Sequence, residues 1–217
     1  MSARPSAGRV LSAIAFMVIG AGTVMLLPDH GPAAGAARVS AAGTVGIGFS
    51  QDMIVHHQQA VTMAQAVHGR VSPPVARMAS AIELNQIKEI GQMQGWLALW
   101  NAPQVPSGPP MTWMAAGHQG HAGRRGPGAM PGTASLREMD RLGEVKGEDV
   151  DVWFLQLMIR HHEGGSIMAA AAARDATNPH VRGLAILMAT GQRQEIATMT
   201  GLLSALGHRP LPAPTPP

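Results

Sequence analysis

The chain contains no cysteine and no tyrosine among its 217 residues, and the first of these absences removes whole classes of function. Without thiols there is no disulfide scaffold, thiolate zinc site, iron–sulfur cluster, cysteine nucleophile or lipid-modified N-terminal cysteine. Charged residues are 13% of the chain, about half the usual share of roughly 25%. The net charge is a modest +3 and aromatics are only 3%. No basic stripe interleaved with aromatic rings is present, which argues against nucleic-acid binding. No serine or cysteine triad and no phosphate-cradling glycine motif is legible, so hydrolase and nucleotide-binding roles are set aside. What the chain does have is a 46% apolar content, enough for a sizeable core, and fifteen methionines.

Residues 1–36 read as an address. Arg4 and Arg9 precede an apolar run over 11–27, and Ala34-Gly35-Ala36 has the form of a signal cleavage site. The run suits either a cleaved signal or an N-terminal membrane anchor, which needs about 17–25 residues. Positive charge ahead of the run keeps the N-terminus cytoplasmic and places the rest outside. The expected localisation is therefore extracytoplasmic, secreted or held at the cytoplasmic membrane by this segment.

Beyond it lies an internal repeat. Residues 49–64, FSQDMIVHHQQAVTMA, align with 154–169, FLQLMIRHHEGGSIMA, and eight of these sixteen positions are identical. A second match follows each copy, NQIKEIGQMQGWL at 85–97 and GQRQEIATMTGLL at 191–203. Apolar residues recur at three- and four-residue spacing, which predicts helices rather than strands. Ser72-Pro73 and Asn178-Pro179 each set a capping side chain before a proline suited to the first helical position. The breaks predict helices over about 46–69, 73–100, 148–176 and 179–206. Ser135 with Glu138 forms a capping-box pattern for a short helix ahead of the second unit. The expected fold is all-α: an antiparallel four-helix bundle over 45–207, built from hairpins at 46–100 and 135–207. A flexible Gly/Pro/Met/His linker over 101–134 joins them, and the Pro-rich stretch 208–217 is expected to be a disordered tail.

On a helical wheel Met63 and His56 fall within about 20° of each other, and Met53 and His57 within about 40°. These four share one broad face, as do Met158, His161, His162 and Met168. On the second helices Gln86, Glu89 and Met93 share a face, and so do Gln192, Glu195 and Met199. A bundle would gather imidazole, thioether and carboxylate in its interior. Adjacent histidines point about 100° apart, so one of each pair is expected to be a ligand and its neighbour a supporting or packing residue. Glu89 and Glu195 suit either ligation or hydrogen bonding between hairpins. Thioether is a soft donor that suits Cu(I), and imidazole serves copper in both oxidation states. The Glu-x-x-His pairs of di-iron bundles are missing, so copper is preferred and iron placed second. Gly164 and Gly165 predict either close helix packing or a distortion beside the site. Met111, Met114, His118, His121 and Met130 in the linker form either a loose metal-capturing tract or a solvated connection of biased composition.

The doubled Phe-x-x-x-Met-Ile-x-His-His core at 49–57 and 154–162, each followed by Met-Ala, resembles the bacterial family DUF305. The Gln-x-x-Glu-Ile-x-x-Met signatures fit it too, and the resemblance extends over about 45–207. It implies a ferritin-like fold, export and, as in some members, copper binding and copper resistance. Carried over residue by residue, it implicates Met53, His56, His57, Met63, Met158, His161, His162 and Met168. The copies part where Asp52 becomes Leu157 and Gln58-Gln59 becomes Glu163-Gly164, so the half-sites differ there. The reading is a copper-binding protein for sequestration, tolerance or transfer rather than an enzyme, served by a copper-delivery or other envelope partner. A copper or iron oxidase would instead consume oxygen above the free-ion background, and a metal-free interaction module would melt at a temperature indifferent to copper.

Overall fold

The computed structural model describes residues 41–114 and 130–214. Among the described residues there are five helices and no strands: α1 (Gly43–Ala66), α2 (Pro73–Leu99), α3 (Leu136–Glu144), α4 (Glu148–Asp175) and α5 (Pro179–Ala205). The chain is all-helical there. None of these helices is long and apolar enough to cross a membrane. The candidate signal or anchor over 1–36 lies outside the described residues, as do His118 and His121 of the linker.

The helix starts follow local chemistry. Asn178 Oδ1 accepts the N–H groups of His180 and Val181, with Pro179 pre-set in the first turn of α5. The Ser135–Glu138 capping box closes at the head of α3. Ser72 departs from expectation. Its side chain makes no cap bond, and its backbone N–H donates instead to Asp151 Oδ1 at 2.9 Å, tying the start of α2 to α4.

Helices α1 and α2 form one hairpin and α4 and α5 the other, and the hairpins meet chiefly through α1 and α4. Burial separates the roles: 18 of 28 residues of α4 are buried, against 8 of 27 in α5. The two histidine pairs therefore sit on the central helices. Two apolar clusters fill the interior. One draws on the second half of α1 and the first half of α4, the other on the first half of α1 and the second half of α4, as an antiparallel crossing requires. His56, His57, His161 and His162 fall between the two clusters along both chains.

The linker is not merely a flexible connection. Asp52 Oδ2 accepts the N–H of Met111 at 2.6 Å and the indole N–H of Trp113 at 2.8 Å. Trp113 packs edge-on against Phe49 and crosses so close to Gly48 that a Cβ there would lie 2.6 Å from it. Met114 and Met130 are buried. Gln59 exchanges two bonds with the backbone of Ala134, at 2.9 and 2.7 Å. Gly164 lets Pro131 lie directly on α4, where a Cβ would collide with the Pro131 carbonyl, and a Cβ on Gly165 would meet the Gln192 amide. Close packing is thus the reason for both glycines. The single linker docks once on a doubled scaffold, which explains why the copies diverge at Asp52/Leu157 and Gln59/Gly164.

Residues 208–214 of the Pro-rich stretch also dock on the bundle. Leu211 packs against the first apolar cluster, Gln156 donates to the Arg209 carbonyl at 2.8 Å, and Pro214 is buried. The side chain of α4 supplies the partner that the Pro-rich stretch lacks on its own.

Candidate metal centre

Each hairpin carries the same imidazole–carboxylate pair. His57 Nε2 lies 2.7 Å from Glu89 Oε2, and His162 Nε2 lies 2.8 Å from Glu195 Oε2. The rings are fully buried, whereas the glutamates are 24% and 19% exposed. Each pair thus runs from the core to the edge of solvent. Glu89 and Glu195 pair within their own hairpins, and Glu195 Oε1 also accepts from Asn85 Nδ2 of the other hairpin at 3.3 Å. Burial pushes the Glu195 carboxyl up, but the bonds from His162 and Asn85 and the nearby imidazoles outweigh it and leave it below the ordinary glutamate range.

The other two histidines meet at the centre. His56 and His161 lie ring on ring with centroids 3.8 Å apart. His56 Nε2–H donates to the Pro131 carbonyl at 3.1 Å, and His161 Nε2–H donates to the His56 carbonyl at 3.0 Å. Burial drives the His56 imidazole down to about 3, helped by the nearby His57 and opposed by the Pro131 carbonyl. His161 is pushed well below the usual histidine range by burial first and by His56 second. Both rings are neutral at physiological pH.

All four Nδ1 atoms are buried without a hydrogen-bond partner. In a neutral ring whose Nε2–H donates to a carboxylate or carbonyl, Nδ1 carries a lone pair. In His56 and His161, whose neutral rings give Nε2–H to a carbonyl, an unpaired buried acceptor of this kind costs about 1–3 kcal/mol, and the Nδ1 atoms of His57 and His162 lie unpaired in the same layer. The arrangement matches the way metal-binding imidazoles are held, with the second N–H given to a carboxylate or backbone oxygen. The donor set therefore fits a metal.

The methionines of the two repeated motifs divide into two trios, and Met130 and Met188 join one of the clusters. Met53, Met93 and Met168 belong to one apolar cluster, and Met63, Met158 and Met199 to the other, all fully buried. Each trio takes two thioethers from one hairpin and one from its neighbour. Met53 and Met63 therefore fall in different clusters, although the wheel puts them on one broad face. Helical spacing stacks Met53 one turn from His57 and Met93 one turn from Glu89, and stacks Met158 and Met199 on His162 and Glu195 in the same way. Among the described residues no three His, Asp or Glu side chains converge closely enough to hold an ion by themselves. A metal bound at these imidazoles would need further donors, and buried thioethers flank the layer in both apolar clusters.

Gln86 and Gln192 are buried beside these pairs. Sequence reasoning missed the Pro131 carbonyl that fixes His56, because a backbone oxygen leaves no residue-type signal. It also registered Asp52 only as a difference between the copies.

The family profile described as "Domain of unknown function (DUF305)" matches residues 46–203. The solved structure of a DUF305 protein from Streptomyces coelicolor is similar at 40% identity and a TM-score of 0.71, over 79% of this chain and 99% of that one. A DUF305 fragment from Deinococcus radiodurans is similar at 32% identity and a TM-score of 0.63, over 76% and 99%. CopM in its Cu(II)-bound form is similar at 26% identity and a TM-score of 0.56, over 73% and 95%. No curated protein matches the chain.

Proposed function

The chain belongs to the DUF305 family, and from that premise we propose that it is an extracytoplasmic copper-binding protein acting in sequestration, tolerance or transfer. The observation that carries the reading is the layer of four buried imidazoles, each with Nδ1 free of any hydrogen-bond partner, between two buried groups of thioethers. Thioether and neutral imidazole together favour Cu(I) over Zn(II), Ca(II) or Mg(II). The similar CopM has been crystallised with Cu(II), and the Streptomyces coelicolor relative is described as a secreted protein. Both fit this assignment.

Two Cu(I) sites follow. The first uses His57 with Met53, Met93 and Met168, and the second uses His162 with Met158, Met199 and Met63. Glu89 and Glu195 orient the ligating rings and raise their basicity by accepting Nε2–H. His56 and His161 keep the layer between the sites neutral and available. The two hairpins form a four-helix, ferritin-like bundle around these sites, with residues 1–36 directing export or anchoring the protein at the cytoplasmic membrane. A copper-delivery protein of the envelope is the expected partner.

Anaerobic Cu(I) competition with the purified protein tests this. Tight binding near two equivalents, lost in a folded His57→Ala/His162→Ala variant, is the expected result. Unchanged affinity in that variant with its helicity intact overturns the site assignment.

A further inference from the structure

Helices α2 and α5 scarcely touch each other, and a cleft of about 280 Å³ opens between them. Glu89 and Glu195 both line it, against one basic side chain, Lys88. The cleft mixes apolar side chains, Leu184, Leu187 and Met188, with the carboxylates of the two imidazole pairs.

Its two sides are not chemically equal. Gln86 and Gln192 occupy aligned positions on α2 and α5, and both line the cleft. Gln192 Oε1 receives the Ser166 hydroxyl at 3.3 Å. At the position aligned with Ser166 the first copy has Val61, and Gln86 Oε1 is buried with no partner, on a residue only 2% exposed. A buried amide oxygen left unpaired costs about 1–3 kcal/mol unless something outside the chain satisfies it. Gln86 and Glu89 are three residues apart on α2 and share a face. On the floor of the same cleft lies Met188, which is packed in the apolar cluster of Met53, Met93 and Met168. The aligned residue on the other side is Ile82, with no sulfur to offer.

We propose that this cleft is a second, oxygen-donor cation site and the entrance to the first thioether site. Gln86 Oε1 and the Glu89 carboxylate take a divalent transition cation, here Cu(II), and Glu89 and Met188 connect it to His57 and the first trio. Carboxylate and amide oxygens suit a harder divalent ion, whereas the interior suits Cu(I). The side of Gln192 is already satisfied internally, so entry is one-sided. This inference rests on the copper-binding reading above.

The test compares Cu(II) and Cu(I) affinities, each by ligand competition, for the full-length wild type, Gln86→Leu and Gln192→Leu. Gln86→Leu should weaken Cu(II) binding by roughly 10–100-fold, the range for perturbing a metal environment. Its Cu(I) affinity should match the wild type, its metal-free melting temperature should not fall, since the unpaired buried oxygen is removed, and Gln192→Leu should leave both ions unaffected. Gln86→Glu, which keeps the oxygen and adds charge, should tighten Cu(II) and provides the readout if the leucine variant does not fold. Wild-type Cu(II) affinity in either Gln86 variant, or equal losses in Gln86→Leu and Gln192→Leu, overturns the cleft site alone when Cu(I) binding persists. A wild type that takes up neither ion overturns the copper reading and the cleft together.

Discussion

His161 Nε2 donates to the backbone carbonyl of His56 while the two rings stack with centroids 3.8 Å apart. The contact joins the central helices of the two hairpins, α1 and α4, at the layer that divides the apolar core. It also commits both rings to the neutral form, because a proton on either would sit buried beside its neighbour.

That commitment gives the metal-free protein an acid-sensitive stability. His56 and His161 have folded pKa values far below the unfolded value of about 6.5. The unfolded state therefore binds more protons between pH 6.5 and the folded pKa, near 3 for His56. The stability these residues contribute is complete above pH 6.5 and is lost as pH falls through that window. Each contributes a slope of at most about 1.4 kcal/mol per pH unit. Urea unfolding of the metal-free protein at pH 7, 6 and 5 should show a falling midpoint, and His56→Gln/His161→Gln should flatten the decline. An equal slope in that variant would locate the acid sensitivity elsewhere.

Glycine substitutions should split by position. Gly164→Ala drives a Cβ into the Pro131 carbonyl, which also anchors His56, and should destabilise by about 1–3 kcal/mol as overpacking does. Gly95→Ala and Gly201→Ala meet nothing within 4 Å and should stabilise by about 0.5–1 kcal/mol through helix propensity. Thermal melts decide the matter, and a stabilising Gly164→Ala would refute the close approach.

Asp52 is the latch for the linker. Asp52→Leu, the residue of the second copy, leaves the Met111 N–H and the Trp113 indole without their acceptor. The expected cost is about 1.5–3 kcal/mol, the range for hydrogen bonds to a charged group. The tryptophan emission should shift to the red as Trp113 leaves Phe49. Unchanged stability and emission would mean that the linker docks by apolar contact alone.

The thioether trios can be separated from core packing. Met53→Leu/Met93→Leu/Met168→Leu conserves volume and should cost less than about 1.5 kcal/mol per site. It should reduce Cu(I) uptake from two equivalents to one, and the matching triple change at Met63, Met158 and Met199 should do the same. Full uptake in both variants would assign the methionines to packing only.

Much of the architecture is legible in the residues. The three- and four-residue spacing marks the long helices to within a few residues, and Asn178-Pro179 and Ser135 with Glu138 mark two starts by side-chain chemistry that acts within a few positions. The doubled Met-x-x-His-His face announces itself because duplication preserves polar groups that a plain core would not need. Ser72 misleads, since its cap depends on whether a distant Asp151 competes for the backbone.

The amino-acid sequence alone determined that this is a duplicated helical protein with His56, His57, His161, His162 and the methionines of the repeated motifs on inward faces, because helical periodicity and capping are local. Only the tertiary structure decided how those residues group. The antiparallel crossing of α1 and α4 sends Met53 and Met63 to opposite clusters and joins each to a methionine from the other hairpin. It stacks His56 on His161, while the hairpin pairing gives His57 to Glu89. It also lets one linker dock on a doubled scaffold, so that the two copies diverge at Asp52 and Gly164. Contacts between residues about a hundred positions apart leave no periodic trace, and the packing of helix against helix sets them.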